Sequence, residues 1–213
     1  MITDSSKPSG MRRQPRQARS QERVDQILDV AEKLFISEGY NATSTKAIAA
    51  HAQIPIGSLY QFFPDKAAIL YKLAERYNQQ LHNLLMELDT PDRRRLPLSA
   101  YMEQVIDMVD RFFTDYPGYH AIFMSVQGSL PELESIDAAA DSQLIQDLVM
   151  LLSQYSPELK SADYEAIAFV LVKVIGNLLW TSLSQEKLFR ERILIETKRL
   201  ILNYLENYFS RVP

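Results

Sequence analysis

The sequence predicts an all-α protein: a three-helix domain with a helix-turn-helix, then a larger C-terminal helical bundle, about nine helices in total, homodimeric. Three observations point there. No stretch between turn signals sustains the apolar/polar alternation of a strand. Apolar residues recur at three-to-four spacing along most of the chain. Two short helical segments with a tight break between them precede a series of longer ones.

The elements follow in order. Residues 1–18 are rich in Ser, Pro, Arg and Gln and read as a disordered basic arm. The first helix starts at Arg19 or Ser20. Val24, Ile27, Leu28, Ala31, Leu34 and Phe35 form its apolar stripe, and Gly39 closes it as a C-cap. A short helix runs from Thr45 to Ala52, with Thr43 and Ser44 as capping candidates. After a break at Gln53-Ile54-Pro55, a third helix spans Ile56 to Phe62 and ends at Phe63-Pro64-Asp65. The fourth covers Lys66 to Leu88, with Leu70, Leu73, Tyr77, Leu81 and Leu84 in its stripe. A charged loop with Arg93, Arg94 and Arg95 leads to the fifth, Leu98 to Tyr116. Pro117-Gly118 breaks the chain before a sixth helix, Tyr119 to Gln127. Ser129 and Glu132 have capping-box spacing and open the seventh, which reaches Tyr155. The eighth spans Asp163 to Ser182 and the ninth Gln185 to Ser210. The expected domains are the arm 1–18, a helix-turn-helix domain 19–65, and a ligand-binding and dimerisation domain 66–213.

Composition narrows the function class. Of 213 residues, 46% are hydrophobic and 23% charged, the balance of a soluble globular protein. With no cysteine, disulfides and thiolate metal sites are excluded. The polar N-terminus lacks the apolar run of a signal peptide, and Ile167 to Trp180 is short for a bilayer and carries Lys173. A cytoplasmic protein without a membrane partner is expected. The net charge of −4 hides an asymmetry: residues 1–23 hold six basic groups against two acids. A basic end on an acidic body is what results when one end meets phosphates.

A helix-turn-helix reads DNA by placing its second helix in a major groove about 12 Å wide. The first helix braces it beside the backbone. Gly57 and Ser58 keep the second helix slim early on, while Ile48, Ala49, Ala52, Ile54 and Leu59 suit the packing of the pair. The run Ile27-Leu28-Asp29-Val30-Ala31-Glu32-Lys33-Leu34-Phe35, then Gly39-Tyr40, Thr43-Ser44-Thr45, Ile48-Ala49, Ala52, Gly57-Ser58-Leu59-Tyr60-Gln61-Phe62-Phe63 and Lys66, strongly resembles the N-terminal domain of the tetracycline-repressor (TetR) family. The match covers roughly residues 20–70.

The resemblance implies a transcriptional regulator that binds double-stranded DNA at an inverted repeat. It places Thr43, Ser44, Thr45 and Lys46 near phosphate, Gly57, Ser58 and Gln61 on the recognition helix, and Tyr60 and Lys66 as further phosphate contacts. Each hydroxyl also has a capping or packing reading. Gln61 can pair with an adenine edge through both amide atoms. Two departures stand out. Phe62 replaces a His or Tyr able to donate to phosphate, and Pro55 replaces a capping hydroxyl. The basic arm is a candidate for the adjacent minor groove.

The last two helices are apolar on more than one face, which suggests a subunit interface. Ala166, Val170, Val174, Leu178, Ile201, Leu205 and Tyr208 are its candidates. The resemblance implies the same four-helix arrangement between two copies. Aromatic, Met and isolated polar residues in the body suggest a pocket for an apolar, partly aromatic effector: His82, Phe112, Tyr116, His120, Phe123, Met124, Asn177 and Trp180. No metal or cofactor is expected. Two rival classes remain. An enzyme finds no support in three histidines without ligand spacing and without a nucleophile elbow. A helical dimer that binds small molecules or proteins but not DNA is left open by Phe62.

Overall fold

A computed structural model describes residues 18–126, 128, 130–155 and 159–209. Among them are nine α-helices and no strand. The helices are α1 (Ala18–Glu38), α2 (Thr45–His51), α3 (Ile56–Phe62), α4 (Lys66–Leu88), α5 (Leu98–Asp115), α6 (Pro117–Met124), α7 (Pro131–Tyr155), α8 (Ser161–Ser182) and α9 (Lys187–Phe209). The all-α expectation is met and the boundaries agree within a few residues. Two local features differ. Arg93–Arg95 form a single 3-10 turn rather than plain loop. Pro117 starts α6 rather than preceding it, since proline lacks only an N–H that a first turn leaves unbonded. The arm up to residue 17 and the Ser129 half of the capping box lie outside the described residues.

The chain divides into two compact units, residues 1–77 with 121–137, and residues 78–120 with 138–213. The division falls within α4 rather than before it. The cause is the burial of Ala68, Ile69, Leu70, Leu73, Ala74 and Tyr77, which give the first half of α4 to the core of the first unit. That core also holds Val24, Ile27, Leu28 and Ala31 of α1, Ile48 and Ala49 of α2, and Leu59 of α3. Fully burying each large member is worth about 1.5–3 kcal/mol. Arg76 of α4 pairs with Asp29 at 2.6 Å and with Glu32, which also accepts from the Tyr77 hydroxyl, so α1 is lashed to α4. Tyr71 donates to Glu132 of α7 at 3.0 Å, and burial, then that bond, push its phenol up to about 12.

In the second unit α5, α8 and α9 pack on one another. On α5 the buried side chains are Leu98, Tyr101, Met102, Ile106, Val109, Phe112 and Phe113. On α8 they include Tyr164, Ile167, Ala168, Leu171, Ile175 and Leu179, and on α9 Thr197, Ile201 and Leu205. The i, i+4, i+8 spacing of the α9 set is one helix face turned inward. Arg190–Asp110 at 2.7 Å and Lys198–Asp107 at 2.6 Å tie α9 to α5.

This burial corrects part of the expected dimer surface. Ile201 and Leu205 are 1% and 3% exposed and belong to the protomer's own core. Ala166 and Tyr208 are exposed, Leu178 is partly so, and Val170 and Val174 are half-buried. Further large apolar groups left outside on these helices are Phe169 of α8 and Leu188, Phe189, Ile195 and Leu200 of α9. Helix α8 is also longer than its apolar centre suggested. Its 22 residues make it, among the described residues, the one helix long and apolar enough by composition to cross a membrane. Its buried face is core against α5 and α9, and Lys173 pairs with Asp141 of α7.

Candidate nucleic-acid interface

The turn between α2 and α3 is built from backbone bonds. Gln53 stands at φ 53°, the left-handed conformation. Its N–H donates to Ala50 at 3.1 Å, and the Ile54 N–H reaches Ala49 at 3.0 Å. This 5→2 and 6→1 pair is a Schellman stop. It buries Ile54 and sends the chain into α3 within three residues. Pro55 is the N-cap of α3 without a side-chain cap; its carbonyl accepts from Ser58 at 2.8 Å. The lost hydroxyl cap inferred from the sequence is therefore observed.

The geometry of α3 follows from 100° per residue. Leu59 and Phe62 are buried, whereas Ile56, Tyr60, Gly57 and Gln61 are exposed and fill one arc of about 140° on the opposite side. A Cβ at Gly57 would meet nothing within 4 Å. Ser58 is half-buried at the arc's border, and Phe62, at 7% exposure, packs inward and offers nothing to a phosphate.

Beside this arc, Ser44 caps α2 by accepting from Ala47 at 3.1 Å and remains exposed, as does Lys46. Thr45 and Tyr60 share a hydroxyl–hydroxyl bond of 3.0 Å, which couples the start of α2 to α3. Gln26 of α1 donates to the Ala52 carbonyl at 2.8 Å and steadies the far end of α2.

Two expected contacts are placed otherwise. Thr43 is 2% exposed and its hydroxyl donates to the Gly39 carbonyl at 2.9 Å, so its side chain faces inward. The Lys66 ammonium donates to the Tyr40 carbonyl and to those of Asn41 at 3.4 Å and Thr43 at 2.8 Å, over the Tyr40 ring at 4.2 Å. Burial pushes this lysine below its ordinary value. These carbonyls take up the donors that a phosphate would use. The residue that sequence reasoning passes over is Ile56. It begins the third helix without a role in the sequence reading, and the helical phase set by the Gln53 turn puts it outside.

With this geometry the comparisons with known proteins agree. Residues 97–205, just over half of the chain, match the family model described as the tetracyclin repressor-like C-terminal domain, and residues 27–73 match that of bacterial regulatory proteins of the tetR family. The chain belongs to the TetR family. It is 29% identical over 159 residues to the HTH-type transcriptional regulator YuxN of Bacillus subtilis, covering 71% of this chain and 52% of that one, so it spans about half of that relative's length. It is 26% identical to the HTH-type transcriptional activator FasR of Mycolicibacterium smegmatis, covering 82% of this chain and 79% of that one. Among solved structures it resembles a TetR-family regulator from Streptomyces coelicolor, with TM-score 0.64, 25% identity and 89% and 98% of the two chains covered. It also shares the fold of the fatty acid degradation regulator FadR from Bacillus halodurans, with TM-score 0.62, 17% identity and 86% and 96% covered.

The TetR body contains one aromatic cluster among the expected effector contacts. Tyr119 lies 6.2 Å from Phe112 and 5.1 Å from Trp180; Phe112 meets Tyr116 at 4.9 Å, and His120 meets Trp180 at 4.8 Å. Phe112, Tyr116, His120 and Trp180 thus come together, and burial lowers the His120 imidazole below its ordinary value. His82 bonds Asp147 at 2.9 Å, and Asn177 is exposed. Phe123 lies against Tyr77 in the first unit, to which exposed Met124 also belongs.

Proposed function

We propose that the chain is a cytoplasmic, homodimeric transcriptional repressor that binds an inverted-repeat operator and is released by a small apolar or aromatic molecule. The observation that carries this reading is the α3 arc: Tyr60, Gly57 and Gln61 face outward from a helix whose other side is core. Gln61 reads a base edge, and Gly57 and Ser58 give the backbone close approach. Ser44, Thr45, Lys46 and Tyr60 hold phosphates and set the register. Thr43 and Lys66 act one step behind, by holding the loop before α2. Two copies joined through the outward apolar residues of α8 and α9 present two recognition helices about 34–36 Å apart.

The effector is assigned to the Phe112, Tyr116, His120 and Trp180 cluster. It acts by binding one arrangement of the dimer better than the other, since only differential affinity moves such an equilibrium. Selection of bound duplexes from a random pool at near-physiological salt tests the first part: an enriched inverted repeat is expected. A folded dimer that enriches nothing would leave the body as a binding module without DNA. The same operator before a reporter gene gives the sign of regulation, since FasR is by name an activator.

A further inference from the structure

We propose that Ile56 reads the 5-methyl group of a thymine in the major groove, once in each half-site. The proposal rests on the DNA-binding reading above and adds the base that α3 selects.

Three observations carry it. Ile56 is 40% exposed on the first turn of α3, whereas Ile54, two residues earlier, is 7% exposed and Leu59, three residues later, is fully buried. The helical phase therefore turns a branched apolar side chain onto the outward arc. Gly57 lies next to it with open space where its Cβ would be, so the fold itself does not require the missing side chain. A bare backbone there lets a flat surface come close enough for the short Ile56 side chain to touch it. The amide that reads a base edge lies elsewhere, since Gln61 sits at the opposite edge of the arc from Ile56.

The chemistry then selects the partner. Isoleucine can neither donate nor accept a hydrogen bond. Of the four base edges in the major groove, only thymine carries an apolar substituent, the C5 methyl. Cytosine offers a bare C5–H in the same place. Placing Ile56 against the methyl group removes apolar surface of both from water, whereas placing it against a purine edge would strip water from N7 and return nothing.

The test removes the methyl group alone. On the operator selected by the wild-type dimer, each thymine is replaced in turn by deoxyuridine, symmetrically in both half-sites, and binding is measured by anisotropy. One position is expected to lose roughly three- to fivefold in affinity per half-site, the worth of one buried methyl group. Ile56→Ala is expected to bind the thymine operator more weakly by a similar factor and to bind thymine and uracil duplexes alike. Alanine is a better helix former than isoleucine, so α3 stays formed, and a melting curve run alongside verifies it. If no thymine position responds, or if the response persists unchanged in Ile56→Ala, the proposal is overturned. Failure of the parent reading shows earlier and separately, as a selection that enriches no sequence at all, and removes both.

Discussion

Single side chains divide into those that meet DNA and those that hold the ones that do. Lys66 is the clearest case of the second kind, with three loop carbonyls around its ammonium. Lys66→Met should cost about 1–2 kcal/mol of stability, the usual worth of hydrogen bonds to a half-buried charge, and should weaken operator binding. It should leave the slope of log K against log salt unchanged. Lys46→Gln, by contrast, should lower that slope by about 0.9 for each phosphate released. A salt titration of both variants separates the roles; an unaltered slope for Lys46→Gln would remove it from the interface. His120 makes a second prediction at this scale. Its folded pKa is lowered, so the unfolded chain binds the proton first as pH falls. Stability should therefore decline as pH drops below about 6.5, levelling off below the folded value. Trp180 is the only tryptophan and touches His120, so its fluorescence should titrate below pH 6.5 and lose that transition in His120→Gln. The residue types were readable in the sequence, but their direction was not. Lysine at the start of a helix and threonine before a cap suit a phosphate and a carbonyl equally, and only the position of the loop at Tyr40–Thr43 decides between them.

Elements were the most readable level, because three-to-four spacing and Gly39 leave little choice. The α2–α3 turn was readable as a break but not as a mechanism: nothing in Gln53 announces a left-handed residue. That conformation costs a non-glycine residue roughly 1 kcal/mol. Gln53→Gly should accordingly raise stability by about 0.5–1 kcal/mol in urea unfolding, with DNA affinity unchanged, whereas Gln53→Val should destabilise. If glycine gives no gain, the turn is not strained. The 3-10 turn at Arg93–Arg95 was missed for a related reason. Arg94 is fixed by Asp89 through two nitrogens, at 2.7 and 2.5 Å, and loop charges paired with one another leave no apolar periodicity to read.

For the whole molecule, the excess of apolar surface on α8 and α9 is legible in the sequence but its sides are not. Nearly continuous apolar runs hide which residues fill the core. The structure separates them, and the separation is testable. Leu188→Glu with Ile195→Glu should yield a folded monomer by analytical ultracentrifugation, since these side chains are 76% and 56% exposed. Ile201→Ala should instead lower protomer stability by about 2–4 kcal/mol through a cavity. A dimer that survives both glutamates would move the interface elsewhere. The space around Gly57 is empty, so a side chain acquired there by mutation disturbs nothing in the fold and even favours the helix. After a gene duplication, one codon at this position could give a daughter protein a different operator without compensating changes. The two copies could then part company in a single step.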